Sequence, residues 1–220
     1  TPDGSYAGTS NLFSVVVTQS GWQTNLVPVA DAFVRNGTPT GNYGTSTTLE
    51  VKLGSASTTR ETYLRFALNG FLGQLAQAQL QMIPEATFSP GTHAVALVTN
   101  DAWGELTLNW DNRPDAGLPA LATWNPVAGI ASQADVTAVA AQELGSDGLL
   151  SLRLFATNST GDGLVSYGSR EGPSSGSPAL IITSTNRYSL SSTQSFWVIV
   201  SPASKPPELA LAGATATNLT

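Results

Sequence analysis

Hydrophobic and polar residues alternate along much of the chain, and this alternation predicts short β-strands that are buried on one face. Clusters of Gly, Pro and Asn, such as residues 36–44, separate the strands and predict turns. The clearest strands are predicted at residues 27–35, 49–53, 62–68, 94–98, 149–156 and 179–183. The pattern therefore predicts an all-β fold, an antiparallel jelly-roll sandwich over residues 27–183.

Residues 101–114, DAWGELTLNWDNRP, are predicted to form a central strand of this sandwich. Leu106, Leu108 and Trp110 alternate with polar residues, which is typical of a half-buried strand. The Asp-Asn-x-Pro sequence that follows predicts a turn. We therefore expect the other strands to pack around this segment.

Two segments depart from the strand pattern. Residues 134–144 are rich in Ala and predict a short helix that Gly145 ends. Residues 72–82 predict a turn of helix that leads into a strand. No tandem repeat of 20 to 50 residues is visible in the sequence.

Residues 1–26 and 184–220 are predicted to lie outside the sandwich, as an N-terminal strand segment and as a C-terminal strand with a Pro-rich linker. The runs LFSVVVT and SFWVIV predict strands, and residues 21–25 predict a break after the first run. Such a strand leaves an exposed edge unless it pairs with its own sheet or with a neighbour's. The residues predicted to assemble in this way are Leu12, Phe13, Val15, Val17, Phe196, Trp197, Val198 and Val200.

The composition narrows the class of protein. Charged residues make up only 11% of the chain, which is common in secreted and cell-surface β proteins, so we expect an extracellular or cell-surface location. The net charge of −6, with nine Lys and Arg, leaves no basic patch for nucleic acid. The absence of Cys excludes disulfides and thiolate metal sites. No apolar run is long enough to span a membrane, and the non-Met first residue suggests a mature or excised piece.

Seven motifs follow one another in the main segment. They are DAFVR at 31–35, NYG at 42–44, LEV at 49–51, YLRF at 63–66, Trp103 and Glu105 before LNW at 108–110 and Pro114, DVT at 135–137, and SPALII at 177–182. Their order resembles the DNRLRE-type β-sandwich modules, a family that overlaps an alginate-binding class of carbohydrate-binding modules. The resemblance implies a jelly-roll sandwich of modular extracellular proteins. Residues 191–207 instead resemble the last strand and exit linker of an immunoglobulin-like repeat.

Four tryptophans, Trp22, Trp103, Trp110 and Trp124, are candidate glycan-binding residues. An exposed aromatic ring can stack on the CH groups of a pyranose. The alternative for Trp103 and Trp110 is that both rings pack in the core or at its rim. The resemblance implies Lys and Arg in relatives that bind polyuronates, but nine basic residues cannot form a broad cationic groove. We therefore expect any glycan ligand to be neutral or weakly charged.

No catalytic constellation is visible. His93 is the only histidine, is predicted to lie in a loop, and is not accompanied by a Gly-x-Ser-x-Gly motif. The pairs Asp111 with Asp115 and Asp101 with Glu105 have the chemistry of a glycosidase acid and base, but loop acids are more commonly just solvated. We expect no enzyme activity.

A structural calcium ion is the one cofactor that the sequence suggests. Asp31, Asn42 and Asp162 are oxygen-bearing residues in predicted loops or strand ends, and Ca²⁺ prefers such ligands. The Asp-x-Asn-x-Asp spacing of a dedicated calcium loop is absent.

Two functions follow from these features. The first is a non-catalytic structural or adhesive subunit of a surface fibre, joined through its terminal strands to copies of itself or to adjacent modules. The alternative is a polysaccharide-binding module attached to a larger secreted protein.

Overall fold

The computed structural model describes residues 22–185, apart from residues 55–56, 89, 116–118, 160 and 174–175. Within this part the chain forms twelve β-strands and one short α-helix. In chain order the elements are β1 (Trp22–Leu26), β2 (Ala30–Arg35), β3 (Thr48–Val51), β4 (Arg60–Ala67), β5 (Gln74–Met82), β6 (Pro84–Phe88), β7 (His93–Val98), β8 (Ala122–Trp124), β9 (Ser132–Asp135), α1 (Thr137–Leu144), β10 (Leu149–Ala156), β11 (Leu164–Gly168) and β12 (Ala179–Thr185).

The strands form three sheets in which every pairing is antiparallel. The first sheet has the order β1-β12-β5-β9, the second β2-β4-β10-β7-β8, and the third β3-β11-β6. Residues from all three sheets line one hydrophobic core, which is the arrangement of a sandwich. The predicted all-β antiparallel sandwich is confirmed.

Alternation along the strands supplies this core. Leu64 and Phe66 of β4, and Leu68 directly after it, are at most 1% exposed, and they share the core with the inward residues of the first sheet. Those residues are Ala78, Leu80, Met82, Ala134, Leu180 and Ile182. Burying one large aliphatic side chain stabilises the fold by about 1.5–3 kcal/mol. A chain without disulfides can therefore be held by this core.

The outer face of the second sheet is buried as well, because the loop between β7 and β8 covers it. Tyr63 points away from Leu64 and packs with Trp103 and Leu108 of that loop. The Tyr63 hydroxyl donates a hydrogen bond to the carbonyl of Pro114 at 3.2 Å. The remaining members of this second cluster are Ala30, Ala32, Val34 and Val98. The second sheet is thus covered on both faces.

The predicted central strand at residues 101–114 is wrong, since the segment forms consecutive turns in that covering loop. The amides of Thr107 and Leu108 both donate to the carbonyl of Gly104, which closes a turn in the middle of the segment. The Asn109 side chain accepts from the amides of Asp111 and Asn112. These local bonds replace the strand pairing that the alternation suggested.

Three further boundaries differ from the sequence prediction. Residues 22–26, where a break was expected, form the edge strand β1. The helix begins at Thr137, and the residues before it form β9. No helical turn precedes β5 in the described residues, because positions 69–73 form turns and bends.

The terminal segments predicted to assemble with other chains lie outside the described residues, so that prediction stays open. The described part of the fold contains no helix that combines the length and apolar character needed to cross a bilayer.

The sequence predicted that His93 lies in a loop. Instead, His93 begins β7 and is fully buried. Its Nδ1 atom lies 2.8 Å from the Tyr167 hydroxyl, and its ring centroid lies 6.2 Å from that of Trp124. Burial lowers the pKa of His93 to about 4. The neutral imidazole is therefore the folded form at pH 7.

This low pKa predicts an acid-sensitive stability. An unfolded histidine titrates near 6.5, so the stabilisation from keeping His93 neutral is present above pH 6.5 and is lost as the pH falls through 4. We expect wild type to lose about 2 kcal/mol of unfolding free energy from this group between pH 7 and pH 4.5, as measured by urea unfolding. His93→Gln should lack this component. The difference in unfolding free energy between wild type and His93→Gln should therefore change with pH. A difference that stays constant from pH 7 to pH 4.5 would contradict the prediction.

Candidate functional site

Trp103, one of the predicted sugar-stacking residues, is buried. Its indole N–H donates to the Ser151 hydroxyl at 3.1 Å, and it is 7% exposed. The Arg65 guanidinium carbon lies 4.9 Å from the ring centroid, and the Arg65 side chain donates to the carbonyls of Asp101 and Trp103. The ring is therefore largely enclosed by the sheet and the loop and does not form an exposed stacking platform.

The other three tryptophans lie in different places. Trp110 is half-buried, and the Arg113 guanidinium covers its ring at 3.6 Å from the centroid. Trp124 is half-buried and packs against the main core beside His93. Trp22 is 47% exposed at the start of β1. Among the four, Trp22 alone has a ring that is largely open to solvent.

The outer face of the first sheet is a second candidate, which the sequence did not indicate. The inward rows of β5 and β12 belong to the core, so the alternate residues point outward. Strand register aligns these outward residues in rows across the sheet, for example Asn25, Ile181, Gln79 and Asp135. We call this surface the amide face; its members are Gln23, Asn25, Gln77, Gln79, Gln81, Gln133, Asp135, Ala179, Ile181 and Thr183.

The side chains of the amide face are nearly all neutral hydrogen-bonding groups. Six of its ten residues are Gln or Asn, no Lys or Arg belongs to it, and Asp135 is its one charged residue. Gln133 donates weakly to Gln81 at 3.4 Å. Within the described residues, the side-chain carboxamides of Gln77 and Gln79 form no hydrogen bond. Each carboxamide offers two donors and one acceptor, so the face can bind groups that both donate and accept.

The shape of the amide face suits an extended ligand. Four strands spaced about 4.8 Å apart span about 14 Å across the sheet, and residues 77–81 span a similar length along β5. In contrast, the loop that holds Trp103 covers the corresponding face of the second sheet. Unlike that face, the amide face contributes no residue to a hydrophobic cluster of the described residues.

A third cluster consists of acidic residues around Arg170. One carboxylate oxygen from each of Asp31, Glu105 and Glu171 lies within 4.8 Å of the others. Arg170 contacts Glu105 through Nε at 2.9 Å and Nη2 at 2.7 Å, and contacts Glu171 through Nε at 2.8 Å. Burial raises the pKa of Asp31 to about 7, the Arg170 amide lowers it, and the charges of Glu171 and Glu105 raise it further.

The three residues predicted as calcium ligands do not form one site. Asn42 donates to the carbonyls of Glu105 and Leu108 at 2.7 and 2.8 Å, so it lies near the acidic cluster of Asp31. Asp162 lies on a separate loop, where it pairs with Lys52, and this contact lowers its pKa. The structure brings Asp31 and Asn42 to the same region and leaves Asp162 elsewhere.

One of the two carboxylate pairs considered for glycoside hydrolysis, Asp101 with Glu105, is divided between two acidic clusters. Glu105 belongs to the cluster with Asp31, whereas Asp101 lies with Glu143 and Asp147, one oxygen of each within 4.8 Å. Burial raises the pKa of Glu143, and the charges of Asp101 and Asp147 raise it further. Asp101 and Glu105 therefore belong to different acidic clusters.

The family comparison agrees with this fold. The model of carbohydrate-binding module family 96 matches residues 22–184, almost the whole described range. No curated protein sequence matches the chain. The match confirms the resemblance to carbohydrate-binding modules that the motif order indicated.

Proposed function

The chain belongs to carbohydrate-binding module family 96, and we propose that it binds a neutral polysaccharide on its amide face. The observation that carries this proposal is the composition of that face, where carboxamides dominate and cationic side chains are absent. Sugar hydroxyls donate and accept hydrogen bonds, as carboxamides do. A neutral glycan chain is therefore the ligand with matching chemistry.

The charge of the chain argues against an acidic glycan at this surface. A polyuronate needs Lys or Arg to neutralise its carboxylates, and Asp135 would repel it. Several basic residues of the described part are engaged elsewhere: Arg60 pairs with Glu50, Lys52 with Asp162, and Arg170 with Glu105. A preference for neutral polysaccharides follows from both features.

We further infer that the module acts without catalysis, within a secreted protein. Support for the first point is that the amide face carries a single carboxylate, Asp135, while hydrolysis of a glycoside uses two. Burial of the Trp103 ring supports a binding mode based on hydrogen bonds rather than on a row of aromatic residues.

The direct test removes three neighbouring amides of the central strand. In Gln77→Ala/Gln79→Ala/Gln81→Ala, we expect at least a tenfold loss of affinity for the polysaccharide that wild type binds, because each lost hydrogen bond contributes about 1 kcal/mol. The measurement is affinity electrophoresis against cellulose derivatives, xylan, mannan and alginate. Binding to the neutral polymers should change little with salt.

The matched control is Gln142→Ala, an exposed glutamine on α1, which should bind as wild type does. Trp22→Ala is a second control: Trp22 lies opposite the buried Ser184, on the other side of β1 from Gln23, so its loss should not weaken binding at the amide face. Undiminished binding by the triple variant would refute the amide face as the site. Tight, salt-sensitive binding to alginate would refute the preference for neutral ligands.

A further inference from the structure

The Asp31 carboxylate is buried without having all its hydrogen bonds satisfied. Asp31 is 1% exposed, and its Oδ2 atom accepts the backbone N–H of Arg170 at 2.9 Å. Its Oδ1 atom is buried and has no hydrogen-bond partner within the described residues. A buried carboxylate oxygen without a donor is costly, so some other group normally satisfies it.

Two more carboxylates surround this position. Oxygens of Asp31, Glu105 and Glu171 lie within 4.8 Å of one another. Two oxygens that are each about 2.4 Å from one calcium ion lie at most about 4.8 Å apart. The spacing of the three side chains is therefore compatible with one shared ion.

The charge balance of the cluster also favours a cation. Arg170 is the basic residue that contacts it, and it pairs with both Glu105 and Glu171. Ionisation of Asp31 alongside Glu105 and Glu171 would leave two net negative charges in this partly buried site, after the Arg170 guanidinium is counted. A divalent cation would neutralise them.

We propose that Asp31, Glu105 and Glu171 bind a divalent cation, and that this cation is Ca²⁺. The cluster offers only oxygen ligands and contains no His, while Cys is absent from the chain, so it lacks the nitrogen and sulfur ligands that Zn²⁺ prefers. Arg170 holds Glu105 by a two-point contact and orients it towards Asp31. The ion would join β2, the β7–β8 loop and the segment after β11.

The test is calcium titration of the full chain by isothermal calorimetry, together with thermal unfolding in Ca²⁺ and in EDTA. We expect one Ca²⁺ per chain with a Kd of about 0.1–1 mM. At 10 mM Ca²⁺ the unfolding temperature should rise by about 4–8 °C. Asp31→Asn keeps the shape of the side chain and should abolish both effects. Glu171→Gln, at a more exposed position, should weaken binding at least tenfold and keeps the proposal testable if Asp31→Asn does not fold.

Two controls fix the location of the ion. Asp162→Asn, which removes an acid that pairs with Lys52, should bind Ca²⁺ as wild type does. Loss of binding in Glu143→Gln but not in Glu171→Gln would overturn the assignment in favour of the other acidic cluster. Absence of calcium binding by wild type would also overturn it. Neither result bears on polysaccharide binding by the amide face.

Discussion

Replacing Trp103 by Ala is expected to destabilise the protein by about 3–5 kcal/mol, since truncation of a buried tryptophan leaves a large cavity. The indole fills the space between the second sheet and its covering loop, where it contacts Tyr63 edge to face with centroids 6.2 Å apart. The variant also leaves the Ser151 hydroxyl without its hydrogen-bond donor and removes the ring beneath Arg65. Equilibrium urea unfolding at pH 7 measures the loss.

Two matched variants separate the contributions. Trp103→Phe keeps most of the packing but removes the N–H that reaches Ser151, so a smaller loss of about 1–2 kcal/mol is expected. Trp22→Ala removes an indole that is 47% exposed and should cost less than 1 kcal/mol. Equal losses in Trp103→Ala and Trp22→Ala would contradict the buried role of Trp103.

Replacing Gly44 by Ala is expected to cost about 3 kcal/mol or more, because the added Cβ would lie 2.2 Å from the carbonyl oxygen of Glu105. The Cβ would also lie 2.7 Å from the carbonyl carbon and 2.8 Å from the Cγ atom of Glu105. Relieving these contacts would require the Glu105 backbone to move. Asn42 is bonded to the same carbonyl. We therefore expect the urea midpoint to fall and the calcium-dependent rise in unfolding temperature to shrink together.

Gly145→Ala is the control for a glycine replacement that the fold can accept. Gly145 ends α1 with a φ of −84°, and an added Cβ would meet its nearest atom at 3.4 Å. Its unfolding free energy should stay within 0.5 kcal/mol of wild type. A loss as large as that of Gly44→Ala would show that close approach to Glu105 is not the cause.

The sequence predicted most of the strands correctly because their burial follows simple alternation. In β10, Leu150, Leu152 and Leu154 are fully buried, and Arg153 between them lies on the other face. Hydrophobic residues at every second position of a strand therefore indicate directly which side chains contact the core. Strands such as β4 and β12 were predictable for the same reason.

The loop at residues 101–114 shows where this inference fails. Leu106, Leu108 and Trp110 are the hydrophobic positions of an alternating pattern and would share one face of a strand. However, Leu106 is 65% exposed while Leu108 is 1% exposed. The sequence does alternate, but hydrogen bonds to the Gly104 carbonyl and to the Asn109 side chain hold the backbone in turns instead of a strand. Local side-chain bonds of Asn and Asp compete with strand pairing, and hydrophobicity does not report them.

The candidate sites were less predictable because they depend on pairing between distant segments. Gln23, Gln77 and Thr183 form one row only through the register of β1, β12 and β5. The spacing of Gln77, Gln79 and Gln81 in QAQLQM was the one local signal of the amide face. Likewise, Asp31 and Glu171 are 140 positions apart, and the turns that carry Glu105 to them were not predicted.

The pairing of β1 with β12 has a mechanical consequence. Trp22 lies opposite Ser184 in the antiparallel register, so the first and last strands of the described range bring residues 22 and 184 side by side. Tension applied through residues 22 and 184 would load the interstrand hydrogen bonds one after another, since these bonds run perpendicular to the strands. The module should therefore open by unzipping at low force, and β1 should peel from the sheet before the core ruptures.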